Sequence, residues 1–92
     1  MMRISAQVSL YPLGQVSLSP AIDEALCIFR EHGLDTDPGA MSTMITGESA
    51  AVFDALQQAF RRAAERGQVV MVVTFSNACP APERERNRSE DV

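Results

Sequence analysis

Ninety-two residues carrying twelve acids, eight arginines and no lysine have a net charge of −4. That is enough chain for one domain with a modest core, and the negative balance excludes a protein held to nucleic acid by charge. No apolar run approaches the roughly 18 residues of a membrane span, and no basic region followed by an apolar block marks a secretory signal, so a cytoplasmic protein is expected.

The first element is a strand. Ile4, Ala6, Val8 and Leu10 alternate with Ser5, Gln7, Ser9 and Tyr11, the period-two pattern of a strand buried on one side. Pro12 and Gly14 then predict that pairing ends near Tyr11. The polar side is unusual: a solvated strand ordinarily carries charge, whereas this one is small, neutral and rich in hydrogen-bonding groups.

Ser19 is placed to cap a helix over 19–32, with Pro20 in its first position and Asp23 and Glu24 complementing its positive end. Ile22, Ala25, Leu26 and Phe29 form its apolar stripe. His32 falls in the last turn, where a charged ring interacts favourably with the dipole, and Gly33 supplies the stop. Beyond it, Pro38-Gly39 predicts a turn between two extended segments. In the later segment Met41, Thr43 and Ile45 share one side, and Ser42, Met44 and Thr46 the other. Gly47 should break this strand and Ser49 cap a second helix, whose stripe is Val52, Leu56, Ala59, Phe60 and Ala63. Arg61, Arg62 and Arg66 favour its C-terminal end, and Gly67 stops it. Residues 69–76, VVMVVTFS, are a last strand, apolar on both faces. The polar, Pro-containing stretch 78–92 is expected to be a disordered tail behind a single domain over 1–77.

The order β-α-β-β-α-β predicts an α+β, ferredoxin-like sandwich: a four-stranded antiparallel sheet with two helices on one face. The other face would expose Val70 and Val72 beside the Ser5-Gln7-Ser9 row, and a second copy of the chain is expected to cover it.

Catalytic chemistry finds little support. His32 is the sole histidine and is accounted for by the helix dipole, and Cys27, beside the apolar stripe, reads as a small packing residue. Asp23-Glu24 and Asp35-Asp37 read as dipole partners and solvated charges. No Gly-rich phosphate loop occurs, two cysteines are too few for a metal site, and no cofactor is implied. What remains is a set of neutral hydrogen-bonding side chains on two adjacent central strands: Gln7, Ser9 and Tyr11 from one, Ser42, Thr43 and Thr46 from the other. Such a lining suits a flat, heteroatom-rich small molecule, with Met41 and Met44 as adaptable packing partners. The alternative is that these hydroxyls serve only strand propensity and packing in an oligomerisation module.

Val8-Ser9-Leu10-Tyr11-Pro12-Leu13-Gly14 and Met41-Ser42-Thr43-Met44-Ile45-Thr46-Gly47-Glu48 resemble the two motifs of the thiamine-binding protein family of small YkoF-like domains, over residues 3–76. The resemblance implies subunits that assemble through their sheets into dimers or tetramers. It also implies non-enzymatic binding of thiamine or its hydroxymethylpyrimidine moiety. Thr46 stands where the family often has Glu, and the last strand ends in Ser76-Asn77-Ala78-Cys79 rather than an acidic-basic run. With Ser9 and Thr43 as the leading pair, Gln7, Tyr11, Ser42 and Thr46 complete the expected ligand-binding set.

Overall fold

The computed structural model describes residues 2–14 and 17–78. Cys79 and the remainder of the expected tail lie outside the described residues. Six elements follow in the predicted order: β1 (Arg3–Pro12), α1 (Ser19–Glu31), β2 (Asp35–Pro38), β3 (Thr43–Glu48), α2 (Ser49–Ala64) and β4 (Val69–Ser76). They form one antiparallel sheet of order β2-β3-β1-β4, with both helices packed on the same face. This is the βαββαβ, ferredoxin-like sandwich.

Register sets the sides. Ala6 faces Ile45 and Phe75 across the sheet, and Val8 faces Thr43 and Val73. Directly opposed residues share a side, so Ile4, Ala6, Val8 and Ile45 meet Phe29, Val52 and Leu56 in a common core. Gln7, Ser9 and Tyr11 lie on the uncovered side with Met44, Thr46, Val70 and Val72; Ser5 shares that side by register but is buried, so the expected exposed row does not extend to it.

Pairing at Pro12 runs further than its sequence suggests. Pro12 sits opposite Val69, and the Leu13 N–H donates to the Gln68 carbonyl at 2.9 Å. Hydrogen-bonded and non-hydrogen-bonded pairs alternate in an antiparallel ladder. Pro12 therefore occupies a non-bonded pair with β4, and its missing N–H would have pointed toward β3. The β3 pairing has already ended at Val8. A proline costs nothing there.

Several local expectations need correction. Leu18, with no side-chain cap, precedes α1, so Ser19 is the first helical residue rather than the cap. Neither Asp23 nor Glu24 lies in the first turn. Glu24 instead receives Arg62 at 2.6 Å and Arg66 at 2.9 Å, tying the two helices together. At these exposures each bridge is worth roughly 0.2–1 kcal/mol. Ser49 does not cap α2; the Glu48 carboxylate does, accepting from the Ala50 N–H at 3.1 Å. Phe60 is not part of the buried stripe, which runs through Val52, Ala55, Leu56, Ala59 and Ala63. Cys27 is a free thiol on the exposed side of α1, not a packing residue.

Gly47 does not break β3 but pairs with Ile4 inside it. A Cβ at this position would lie 2.5 Å from Leu34 Cδ2, and Leu34 is itself buried. Gly47 is thus the space into which Leu34 packs. Gly47→Ala should lower unfolding free energy by about 1–3 kcal/mol through overpacking, measured by denaturant titration. Leu34→Val in the same chain should recover part of the loss. A Gly47→Ala protein as stable as the parent would show that Leu34 moves aside freely.

Candidate functional site

The register separates the six polar residues singled out above. Gln7, Ser9, Tyr11, Ser42 and Thr46 are on the open side of the sheet. Thr43 pairs with Val8 and points to the helix side, because Ile45 two residues on is wholly buried in the core. Ser9 and Thr43 are close along the sheet but lie on opposite faces, so their side chains do not line one common pocket.

The open-side group ties the β2–β3 loop to β1. Gln7 Nε2 donates to Ser42 Oγ at 3.1 Å, and Ser9 Oγ makes a longer bond, 3.5 Å, to the Met41 carbonyl. Within the loop the Gly39 N–H donates to the Ser42 carbonyl at 2.7 Å. A Cβ on Gly39 would fall 2.9 Å from that same oxygen, so this tight closure requires glycine. Met41, at the loop tip, is 79% exposed.

On the helix side, the same loop roofs a cavity of about 80 Å³. Ile22, Leu26 and Phe29 of α1 form one wall, Val8, Leu10 and Met71 of the sheet the other, and residues Gly39 to Thr43 the rim. Ile22 and Leu26 were legible as part of an apolar stripe. Nothing in their spacing distinguishes a core position from a cavity wall. The chemistry is apolar walls with a few polar groups at one end, the Thr43 hydroxyl and the loop backbone, which is the general make-up of a small-molecule site.

Titratable groups lie elsewhere. The His32 ring bridges the end of α1 to α2, with Nδ1 2.8 Å from the Ile28 carbonyl and Nε2 2.9 Å from Asp54 Oδ2. The Gln58 amide also donates to Asp54, at 3.4 Å. The Ile28 carbonyl and Asp54 carboxylate are acceptors that a doubly protonated imidazolium satisfies together, while the Gln58 amide nitrogen, a donor, lies 3.3 Å from Nε2. The Ile28 carbonyl raises the pKa above its ordinary 6.5; partial burial opposes this, and the Asp54 and Glu31 carboxylates reinforce it. With both nitrogens engaged, the ring serves the helix pair. Among the described residues, no group of three or more His, Cys, Asp or Glu could hold a metal ion, and no helix is long and apolar enough to cross a membrane.

Fold and cavity together define a class, a ferredoxin-like α+β domain with a pocket between its sheet and first helix. The model of the YKOF-related family matches residues 3–82. The chain belongs to that family. No curated protein matches it. Among solved structures, a hypothetical protein of Methanocaldococcus jannascii superposes with a TM-score of 0.82 at 23% identity, covering 100% of both chains. A domain of unknown function from Bacillus cereus gives 0.75 at 17% identity, over 92% of this chain and 86% of its own. A Thermotoga maritima protein, provisionally assigned to thiamine biosynthesis or salvage, gives 0.76 at 16% identity, over 98% and 99%. At these identities the likeness is one of fold.

The His32 geometry predicts a pH dependence. A folded-state pKa raised above the unfolded value contributes stability that is fully present below about pH 6.5 and is lost as pH rises through the folded pKa. Denaturant midpoints from pH 5 to 9 should therefore fall, relative to His32→Gln, as pH rises through that window. Parallel profiles for the two proteins would show that the ring titrates alike folded and unfolded.

Proposed function

We propose that this chain is a non-enzymatic binding protein for thiamine or its hydroxymethylpyrimidine moiety, with the pyrimidine ring seated in the cavity between α1 and the sheet. Membership of the YKOF-related family and the thiamine-related assignment of the Thermotoga neighbour support the ligand class. One observation carries the placement: this cavity joins apolar walls to a hydroxyl, that of Thr43, beside loop backbone groups. An aminopyrimidine offers an amino donor and ring-nitrogen acceptors, which a hydroxyl and backbone groups satisfy without charge.

Size restricts the pose. About 80 Å³ is less than the roughly 150 Å³ of an engineered cavity that admits benzene. A pyrimidine therefore enters only as Met71 or Leu26 shifts or as the ring projects past Met41, and methionine adapts to such demands at low cost. The second ring of thiamine would remain outside the cavity, at its mouth. In this reading Gln7 and Ser9 act by holding the loop, and Ser42 links the two faces. Tyr11 and Thr46 face the opposite side of the sheet, where assembly with a second copy would cover them.

Isothermal titration with hydroxymethylpyrimidine, thiamine and its phosphates tests the proposal. Thr43→Val keeps the shape and removes the hydroxyl, so it should weaken binding by about 1 kcal/mol, near fivefold. Ala25 also lines the cavity, so Ala25→Leu adds side-chain volume there and should weaken binding by more than tenfold while circular dichroism stays that of the parent. A folded Ala25→Leu protein that binds like the parent would remove the ring from this cavity. No heat with any of the compounds would favour the oligomerisation module, which the internal partnering of Gln7 and Ser42 also accommodates.

A further inference from the structure

Of the two acids in the middle of α1, one has a structural task and the other does not. Glu24 is half-buried and holds Arg62 at 2.6 Å and Arg66 at 2.9 Å on α2. Asp23 beside it is exposed and lies outside the first helical turn. It has no ion-pair partner among the described residues.

Its place on the helix sets it by the cavity. Successive helical side chains turn by about 100°, and residues three or four apart are surface neighbours. Asp23 directly follows Ile22 and lies three residues before Leu26, both of which line the cavity. Glu24, one step further round, is on the flank that meets α2. Asp23 therefore borders the cavity wall on the flank turned away from α2. α1 packs against β2, so this is the flank beside which Gly39 to Thr43 form the rim.

Asp23 dominates the charge at this mouth. Among the described residues, no ionisable side chain lines the cavity itself. Arg3 and Glu48 oppose each other at the far end of β1 and β3, and Asp37 is opposite Met44 on the open side of the sheet. Arg30 shares the flank of Asp23 but is two turns on, about 10 Å along the helix. That is roughly one Debye length at 0.1 M salt. The N-terminus of α1, one turn away, carries the equivalent of about half a positive charge. A whole negative charge outweighs it.

We propose that Asp23 is a specificity-determining residue, selecting a ligand that carries positive charge on the part left outside the cavity. The inference rests on the pyrimidine reading given above. A ring seated between Ile22, Leu26 and Met71 leaves its substituent at the rim, within the field of this carboxylate. The thiazolium of thiamine is a cation there and is attracted. A phosphate ester brings negative charge to the same place and loses the advantage. Hydroxymethylpyrimidine has no charged second ring and is indifferent to it. At an exposed position the attraction is modest, roughly twofold to fivefold in affinity. It grades ligands of one shape without deciding whether they bind.

Isothermal titration at low ionic strength with hydroxymethylpyrimidine, thiamine and thiamine monophosphate tests it on the parent, Asp23→Asn and Asp23→Lys. Circular dichroism of both variants should match the parent. Asp23→Asn should weaken thiamine about twofold to fivefold and leave hydroxymethylpyrimidine unchanged. Asp23→Lys should weaken thiamine further and strengthen the monophosphate. Salt at about 0.5 M should erase the difference between parent and Asp23→Asn. Asp35→Asn removes the same charge at the end of β2 away from the rim, and should bind all three compounds as the parent does. Unchanged thiamine affinity in both Asp23 variants, with hydroxymethylpyrimidine still bound, would overturn the inference and leave the pyrimidine reading standing. So would an equal loss for thiamine and hydroxymethylpyrimidine, or the same loss in Asp35→Asn. No binding of hydroxymethylpyrimidine by the parent would remove the pyrimidine reading, and this inference with it.

Discussion

The sidedness of β1 is the constraint on which the structure depends. It is a central strand, bonded to β3 and β4, and its alternation leaves one register in which Ile4, Ala6 and Val8 all reach the helices. A slip of one residue would bury Gln7 and expose Val8. Because β3 and β4 take their register from β1, the same alternation decides that Ile45 and Thr43 face the helices while Met44 and Val72 do not. The cavity and the open face both descend from that choice.

The β2–β3 loop links the two sides. Its backbone forms the rim of the cavity, yet two of its anchors, Gln7 to Ser42 and Ser9 to the Met41 carbonyl, are on the opposite face. The polar strand face thus holds the loop that rims the cavity. This also gives a physical reason for neutral side chains at Gln7 and Ser9. Long charged chains would seek solvent rather than short bonds to a neighbouring strand.

Much of this was legible in the residues. Alternation in β1, helical stripes in α1 and α2, and a turn at Pro38-Gly39 sufficed for the βαββαβ order, because each pattern states which side is buried. What was not legible depends on the third dimension. Gly47 reads as a breaker from its own chemistry, but Leu34 packs where its Cβ would be. Ser19 and Ser49 are good caps by type, yet both helices begin at these residues, and cap preference does not distinguish neighbouring starts. Phe60 falls at the margin of the helical stripe, and only the position of β4 determines that it lies outside the core. Ser9 and Thr43 belong to adjacent strands, and their division between faces needs the register.

The central claim is that the helix-side cavity, and not the polar open face, receives the ligand. A methyl-resolved NMR titration with hydroxymethylpyrimidine tests it most directly. Saturable shifts should concentrate on Thr43, Leu26, Ile22 and Met71, with Val70, Val72 and Met44 unmoved. Saturable shifts confined to Val70, Val72 and Met44 would contradict the claim and place the site on the open face of the sheet.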